Sequence, residues 1–149
     1  MKEYLIDTHA HIDMLEAPIE STLQLMKDFG VKKAVIPSVE VSSMEKVIAA
    51  AEADENIYAM IGIYPSEAKT YTQEVEDRMI ELAKNHKVKA VGEIGLDYYW
   101  DKEPEVQNAQ RYWFRRQMEL ARETNLPVII HSRDAAADTM EVMKERSEE

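Results

Sequence analysis

Five short apolar runs, each followed by an amphipathic stretch of helical period, constrain this chain more than any other feature. The runs are Tyr4–Asp7, Ala34–Pro37, Ile57–Gly62, Val88–Ile94 and Val128–His131. Each is too short for a helix and apolar nearly throughout, the pattern of strands covered on both faces of a parallel sheet. Behind the first run, Ile19, Leu23 and Met26 recur at helical spacing, with Pro18 at the start and Gly30 as the stop. Met44, Val47, Ile48 and Ala51 form a second stripe, which Ser42 and Glu45 open as a capping box. Val75, Met79, Leu82 and Ala83 form a third. The fourth holds Trp113, Phe114, Met118, Leu120 and Ala121, and the fifth Ala136, Met140 and Met143. The nine methionines fall mostly on these stripes and read as gap-filling core residues.

Strand–helix alternation implies a parallel sheet with right-handed crossovers, built either as an open doubly wound sheet or as a (β/α)8 barrel. A length of 149 residues favours the open sheet, since a barrel takes about 250. Only four glycines are present, too few for the glycine-rich phosphate loops of open nucleotide-binding sheets. The pattern leaves both architectures standing. A hydrophobic fraction of 45% excludes disorder, and the absence of cysteine excludes a disulfide scaffold. No apolar run approaches the roughly 20 residues of a membrane span, and Met1-Lys2-Glu3-Tyr4 opens no signal peptide, so a cytoplasmic protein without membrane contact is expected. With 18 Lys+Arg against 29 Asp+Glu the net charge is −11, which opposes nucleic-acid binding through a basic patch. Phosphate chemistry on this chain would need bound cations or a few local Arg and Lys.

Three elements carry chemistry. His9 and His11 follow the first strand and, as residues i and i+2 of an extended segment, present both imidazoles to one side. Glu93 lies inside the fourth run, where a carboxylate is costly unless paired or metal-bound. Gly92 and Gly95 beside it mark close approach of a ligand or another backbone. His131 ends the fifth run. All three sit at C-terminal strand ends, where βα folds place their sites, and together they offer the ligand types of a borderline divalent metal. His86, in a polar helix end, reads as a solvated surface residue.

The segments Ile6-Asp7-Thr8-His9-Ala10-His11-Ile12-Asp13, Gly92-Glu93-Ile94-Gly95-Leu96-Asp97-Tyr98-Tyr99 and Pro127 through Ala135 resemble the TatD family of metal-dependent deoxyribonucleases, within the amidohydrolase superfamily. Gly62-Ile63-Tyr64-Pro65-Ser66-Glu67-Ala68 and Phe114-Arg115-Arg116-Gln117-Met118-Glu119-Leu120-Ala121 agree with it. The resemblance implies a (β/α)8 TIM-barrel type, here one incomplete domain over residues 1–149 truncated to about the first five βα units. It implies two divalent ions (Mg, Mn or Zn), with His9 and His11 on one, Glu93 bridging as the catalytic carboxylate, and His131 on the other. Two ions roughly 4 Å apart clamp both oxygens of a phosphodiester and activate a water, which makes DNA the expected substrate. Asp7 is expected to orient an imidazole, Arg133 to meet a phosphate oxygen, and Asp97 to orient a ligand or Arg. Tyr98, Tyr99 and Trp100 are candidates for stacking on bases.

Two departures stand out. The family's Gly-x-His-Pro-His is here Gly62-Ile63-Tyr64-Pro65-Ser66, so Tyr64 replaces a histidine at the substrate-facing loop. The family's later ligands, a further His and an Asp, belong to strands beyond residue 149. Five strands leave open edges, through which self-association is expected. Besides a deoxyribonuclease, the same metal chemistry admits an ester or amide hydrolase such as an aminoacyl-tRNA deacylase, and the isolated chain admits an inactive fragment.

Overall fold

The computed structural model describes residues 4–146. Residues 1–3 and 147–149, which carry the expectations about the chain's start and finish, lie outside them. Five strands, β1 (Leu5–Asp7), β2 (Val31–Pro37), β3 (Ile57–Ile61), β4 (Val88–Asp97) and β5 (Val128–Arg133), alternate with five helices. These are α1 (Ile19–Asp28), α2 (Met44–Glu52), α3 (Gln73–Leu82), α4 (Pro104–Glu123) and α5 (Ala136–Arg146). The strands pair in parallel in chain order, β1-β2-β3-β4-β5. A doubly wound sheet reverses its strand order at a switch point, and this one never does, so the five strands form a curled half-barrel of TIM type.

The helix-facing core is aliphatic. Ala34 and Ile36 of β2, Ile57, Ala59 and Ile61 of β3, and Val88, Val91, Ile94 and Leu96 of β4 meet Met44, Val47, Ile48 and Ala51 of α2 and Phe114, Leu120 and Ala121 of α4. Each buried Val, Leu, Ile, Met or Phe among them contributes about 1.5–3 kcal/mol by leaving water, which anchors the strand ends that carry the polar residues. At the rim of the half-barrel Leu5 and Ile6 of β1 stay exposed, and β5 is half-buried. No helix among the described residues is long and apolar enough to cross a membrane.

Local details depart from the pattern reading at three places. The capping box before α2 is formed by Glu40 and Ser43 around a 3-10 turn, not by Ser42 and Glu45, and α2 begins at Met44. Ser42 instead donates to Glu40 Oε1 (2.5 Å), and Glu45 pairs with Arg78 of α3. On α5 the inward face carries Thr139 and Val142, while Met140 is exposed. The Thr139 hydroxyl pairs with that of Ser132 of β5 (2.9 Å), and Val142 on the same face is wholly buried. Strands β4 and β5 run on to Asp97 and Arg133, which places Glu93 and His131 inside strands that pair beyond them. Pro18 is the N-cap of α1, Gly30 follows the helix end at φ +76°, and His86 is exposed in a turn.

Candidate metal centre

His9 and His11 leave β1 on an irregular segment that Asp7 holds in place. The Asp7 carboxylate accepts the backbone N–H of His9 (3.0 Å), so it fixes the chain path rather than an imidazole. The two rings meet edge to face, and their Nε2 atoms lie 3.2 Å apart. Glu93, 8% exposed, brings Oε2 to 3.3 Å from His9 Nε2 and 3.9 Å from His11 Nε2. One ligand atom from each of the three residues thus falls within 4.8 Å of the others. His11 Nδ1 is buried with no hydrogen-bond partner among the described residues. Two imidazoles and a carboxylate converging in this way fit one divalent cation of the Zn or Mn type.

Beyond Glu93 the cluster continues as a hydrogen-bonded chain. His131 Nδ1 lies 3.0 Å from Glu93 Oε1, the oxygen that faces away from His9 and His11. His131 Nε2 lies 3.0 Å from both Asp97 Oδ2 and the Tyr64 hydroxyl, which donates to Asp97 Oδ2 at 2.6 Å. The hydrogen bond to Glu93 raises His131 above the ordinary imidazole range, against burial and with help from Asp97. Burial alone would push Glu93 and Asp97 upward. Hydrogen bonds from His131 on both, from Tyr64 on Asp97, and the charges of the histidines around Glu93 outweigh it and hold both below their usual values. Burial and the Asp97 hydrogen bond push the Tyr64 phenol above its usual range, so it remains a neutral donor.

Backbone packing holds these groups at one place. A Cβ on Gly95, whose φ is +138°, would lie 2.0 Å from the His131 carbonyl oxygen, and one on Gly62 would lie 2.6 Å from Gly92 C. Only glycines let β3, β4 and β5 close up here, the backbone approach that the place of Gly92 and Gly95 beside Glu93 suggests. Three residues outside the candidate site residues of the sequence do the positioning. Gln110 and Gln117, both nearly sealed from solvent on the inner face of α4, use their amides as two-pronged clamps. Gln117 binds the backbone N–H and C=O of Ile63 (2.8 and 3.1 Å), beside Tyr64. Gln110 binds those of Asp97 (2.9 and 3.2 Å) and also donates to Asp101. Ser38 takes the Gly62 N–H and returns its hydroxyl proton to the Gly62 carbonyl. The one signal available was two glutamines seven residues apart in line with Phe114 and Leu120.

Residues 6–149 match the family described as TatD related DNase. The chain belongs to that family. It is 37% identical to the metal-dependent hydrolase YabD of Bacillus subtilis over 147 residues, covering 97% of this chain and 57% of the relative. Against the metal-dependent hydrolase YjjV of Escherichia coli K12 it is 34% identical over 132 residues, 86% of this chain and 50% of the relative. The crystal structure of the same YjjV, a TatD homologue, superposes with a TM-score of 0.86 at 32% identity, covering 95% of this chain and 56% of that one. A TatD-family hydrolase from Entamoeba histolytica shares the fold, with a TM-score of 0.80 at 24% identity over 98% of this chain and 55% of its own. The chain spans about half the length of the relatives it matches.

Within this TatD-type half-barrel the structure brings His9, His11, Glu93 and His131 into one cluster, with Asp97 and Tyr64 as its outer wall. Arg133 is exposed, with its guanidinium 3.8 Å from the centre of the Tyr99 ring, and its charge opposes the rise of the Tyr64 phenol.

Proposed function

We propose that this chain is a metal-dependent hydrolase acting on phosphodiesters, with DNA as substrate. The observation that carries the reading is the convergence of His9 Nε2, His11 Nε2 and Glu93 Oε2 on one point. His9, His11 and Glu93 would hold a divalent ion there, which would supply an acidified water and positive charge for a phosphoryl oxygen and so answer the repulsion expected from a net charge of −11. Glu93 divides its oxygens between two sides, Oε2 toward His9 and His11 and Oε1 toward His131. We therefore extend the proposal to a second ion on the His131 side, with Mg, Mn or Zn as the candidates.

The chain's own groups have definite tasks in this reading. His9 and His11 bind through Nε2 and must be neutral to do so. Glu93, held ionised by its neighbours, supplies charge to either side. Asp97 and Tyr64 fix His131 through its Nε2 face. The test is hydrolysis of single-stranded DNA and of bis(p-nitrophenyl) phosphate with added Mg²⁺, Mn²⁺ or Zn²⁺, beside a chelator control, the Glu93→Ala variant and a panel of carboxylic esters. The reading expects metal-dependent phosphodiester cleavage that the variant lacks. Cleavage of the esters alone would replace it with an esterase.

A further inference from the structure

The N-terminal ends of β2, β3 and β4 carry a charge cluster that the metal centre does not use. Ala34, Ile57, Ala59 and Val88 belong to the helix-facing core, so by strand alternation Lys33, Tyr58 and Lys89 share the concave face of the half-barrel. Lys33, Lys87 and Lys89 place their ammonium groups 5.0, 5.2 and 5.6 Å from the centre of the Tyr58 ring. Lys33 donates to the Tyr58 hydroxyl (3.1 Å), whose own proton has no acceptor among the described residues. Lys87, buried, donates to the carbonyls of Asp54 (2.6 Å) and Ile57 (3.1 Å), while Lys89 is exposed. Four residues, about 13 Å of strand, separate Lys89 from Glu93 along β4.

Three cations around one ring repel one another, and no carboxylate neutralises them. Among the described residues none of the three forms an ion pair, in a chain with 29 Asp+Glu against 18 Lys+Arg. Lysines that do pair, Lys84 with Glu81 and Lys102 with Asp134, lie elsewhere. The face and hydroxyl of Tyr58 offset part of the repulsion. The cations in turn, Lys33 through its hydrogen bond foremost, hold the phenol below its ordinary range. A cavity of about 550 Å³ opens beside the ring, lined by Tyr58, His86, Lys87, Lys89, Glu52 and Glu55. Glu52 accepts from Asn85 (2.8 Å), and Glu55 is exposed.

We propose that Lys33, Lys87 and Lys89 around Tyr58 form an anion site at the N-terminal end of the half-barrel, and that its ligand is a compact polyanion of the pyrophosphate class. A lone carboxylate meets one or two of the ammoniums and still faces the two glutamates of the cavity. A pyrophosphate spreads several charges over its terminal oxygens, so it can meet all three lysines and accept the Tyr58 proton as well. The site uses none of the residues of the metal centre, so it stands or falls independently of the hydrolase reading.

The test uses the whole chain, freed of metal on a chelating resin and titrated calorimetrically with pyrophosphate and with acetate at low salt. The expected result is saturable pyrophosphate binding with a dissociation constant below about 1 mM, at least about tenfold weaker in roughly 0.2 M NaCl, and no binding of acetate. Lys33→Gln combined with Lys89→Gln should weaken binding at least about tenfold, and Glu55→Gln should tighten it. Lys84→Gln combined with Lys102→Gln removes the same charge elsewhere and should change binding less than about twofold. Pyrophosphate should also raise the thermal midpoint of the unmodified chain and leave that of the Lys33/Lys89 variant unmoved, a scan that at the same time shows the variant to be folded. No pyrophosphate binding up to about 10 mM, or an equal loss in the two double variants, overturns the site. So does binding that His131→Asn abolishes, which would move the ligand to the metal-free cluster at the other end of the strands.

Discussion

Replacing Gln110 with leucine tests how α4 holds the site. Gln110 is 1% exposed, and its amide satisfies the N–H and C=O of Asp97 and reaches Asp101. Leucine has nearly the same volume, so no cavity opens, but both Asp97 backbone groups lose their partner in a place water does not reach. Each buried unsatisfied group costs about 1–3 kcal/mol, and the apolar side chain regains a part of this by avoiding burial of an amide. The net is about 2–4 kcal/mol, which in a chain of this length lowers the thermal midpoint by roughly 5–15 °C. Circular dichroism melting in chelator reads the change, with Gln24→Leu as control. Gln24 is exposed and meets only Asp28 one helical turn away, so its loss should stay within about 0.5 kcal/mol. Equal midpoints for the two variants would refute the clamp. Gln117→Leu should behave like Gln110→Leu, through Ile63.

Gly95→Ala drives a Cβ against the His131 carbonyl and should cost at least about 3 kcal/mol in chemical denaturation, whereas Gly30→Ala, with open space around it, should cost only about 1 kcal/mol for its positive φ. Glu76→Ala removes a buried carboxylate that pairs with Arg116 of α4 and accepts from the Tyr71 hydroxyl. Because Arg116 keeps Glu119 and is partly solvated, a loss of about 1–3 kcal/mol is expected by urea denaturation, not the larger cost of a sealed pair. In the metal-free chain His131 is raised and Asp97 and Glu93 are lowered. The His131 contribution to stability is therefore complete below about pH 6.5 and is lost as pH rises through the raised value. The carboxylate contribution is complete above about pH 4.5 and is lost as pH falls through the lowered values. Urea midpoints measured in chelator should peak between these limits, and the peak should flatten in His131→Asn.

The half-barrel was legible because each strand is apolar on both faces and each helix shows its stripe, as at Met44, Val47, Ile48 and Ala51, all buried as their spacing required. The local period left open sheet and barrel undecided, since strand order is a long-range property that it does not encode; the motifs shared with the TatD family pointed to the barrel, and the unreversed strand order agrees. Glu93 stood out as a charge inside an apolar strand, and the i, i+2 spacing of His9 and His11 pointed to one shared site, although the segment that carries them is bent rather than extended. The amides of Gln110 and Gln117 did not stand out, because a buried glutamine differs from an exposed one only through partners distant in sequence. Nor did the helix rotation of α5, which buries Thr139 and Val142 and leaves Met140 exposed.

The most direct measurement is calorimetric titration of the chelator-stripped chain with Mn²⁺ and with Zn²⁺, beside Glu93→Gln, His9→Asn and His131→Asn. The account predicts saturable binding that His9→Asn and Glu93→Gln weaken by at least about tenfold, with affinity falling as the solution is acidified because ligating imidazoles must be neutral. It predicts two ions on the wild-type chain and one on His131→Asn. Binding that survives loss of both Glu93 and His9, or no binding at all, would contradict the assignment of these residues as the metal centre.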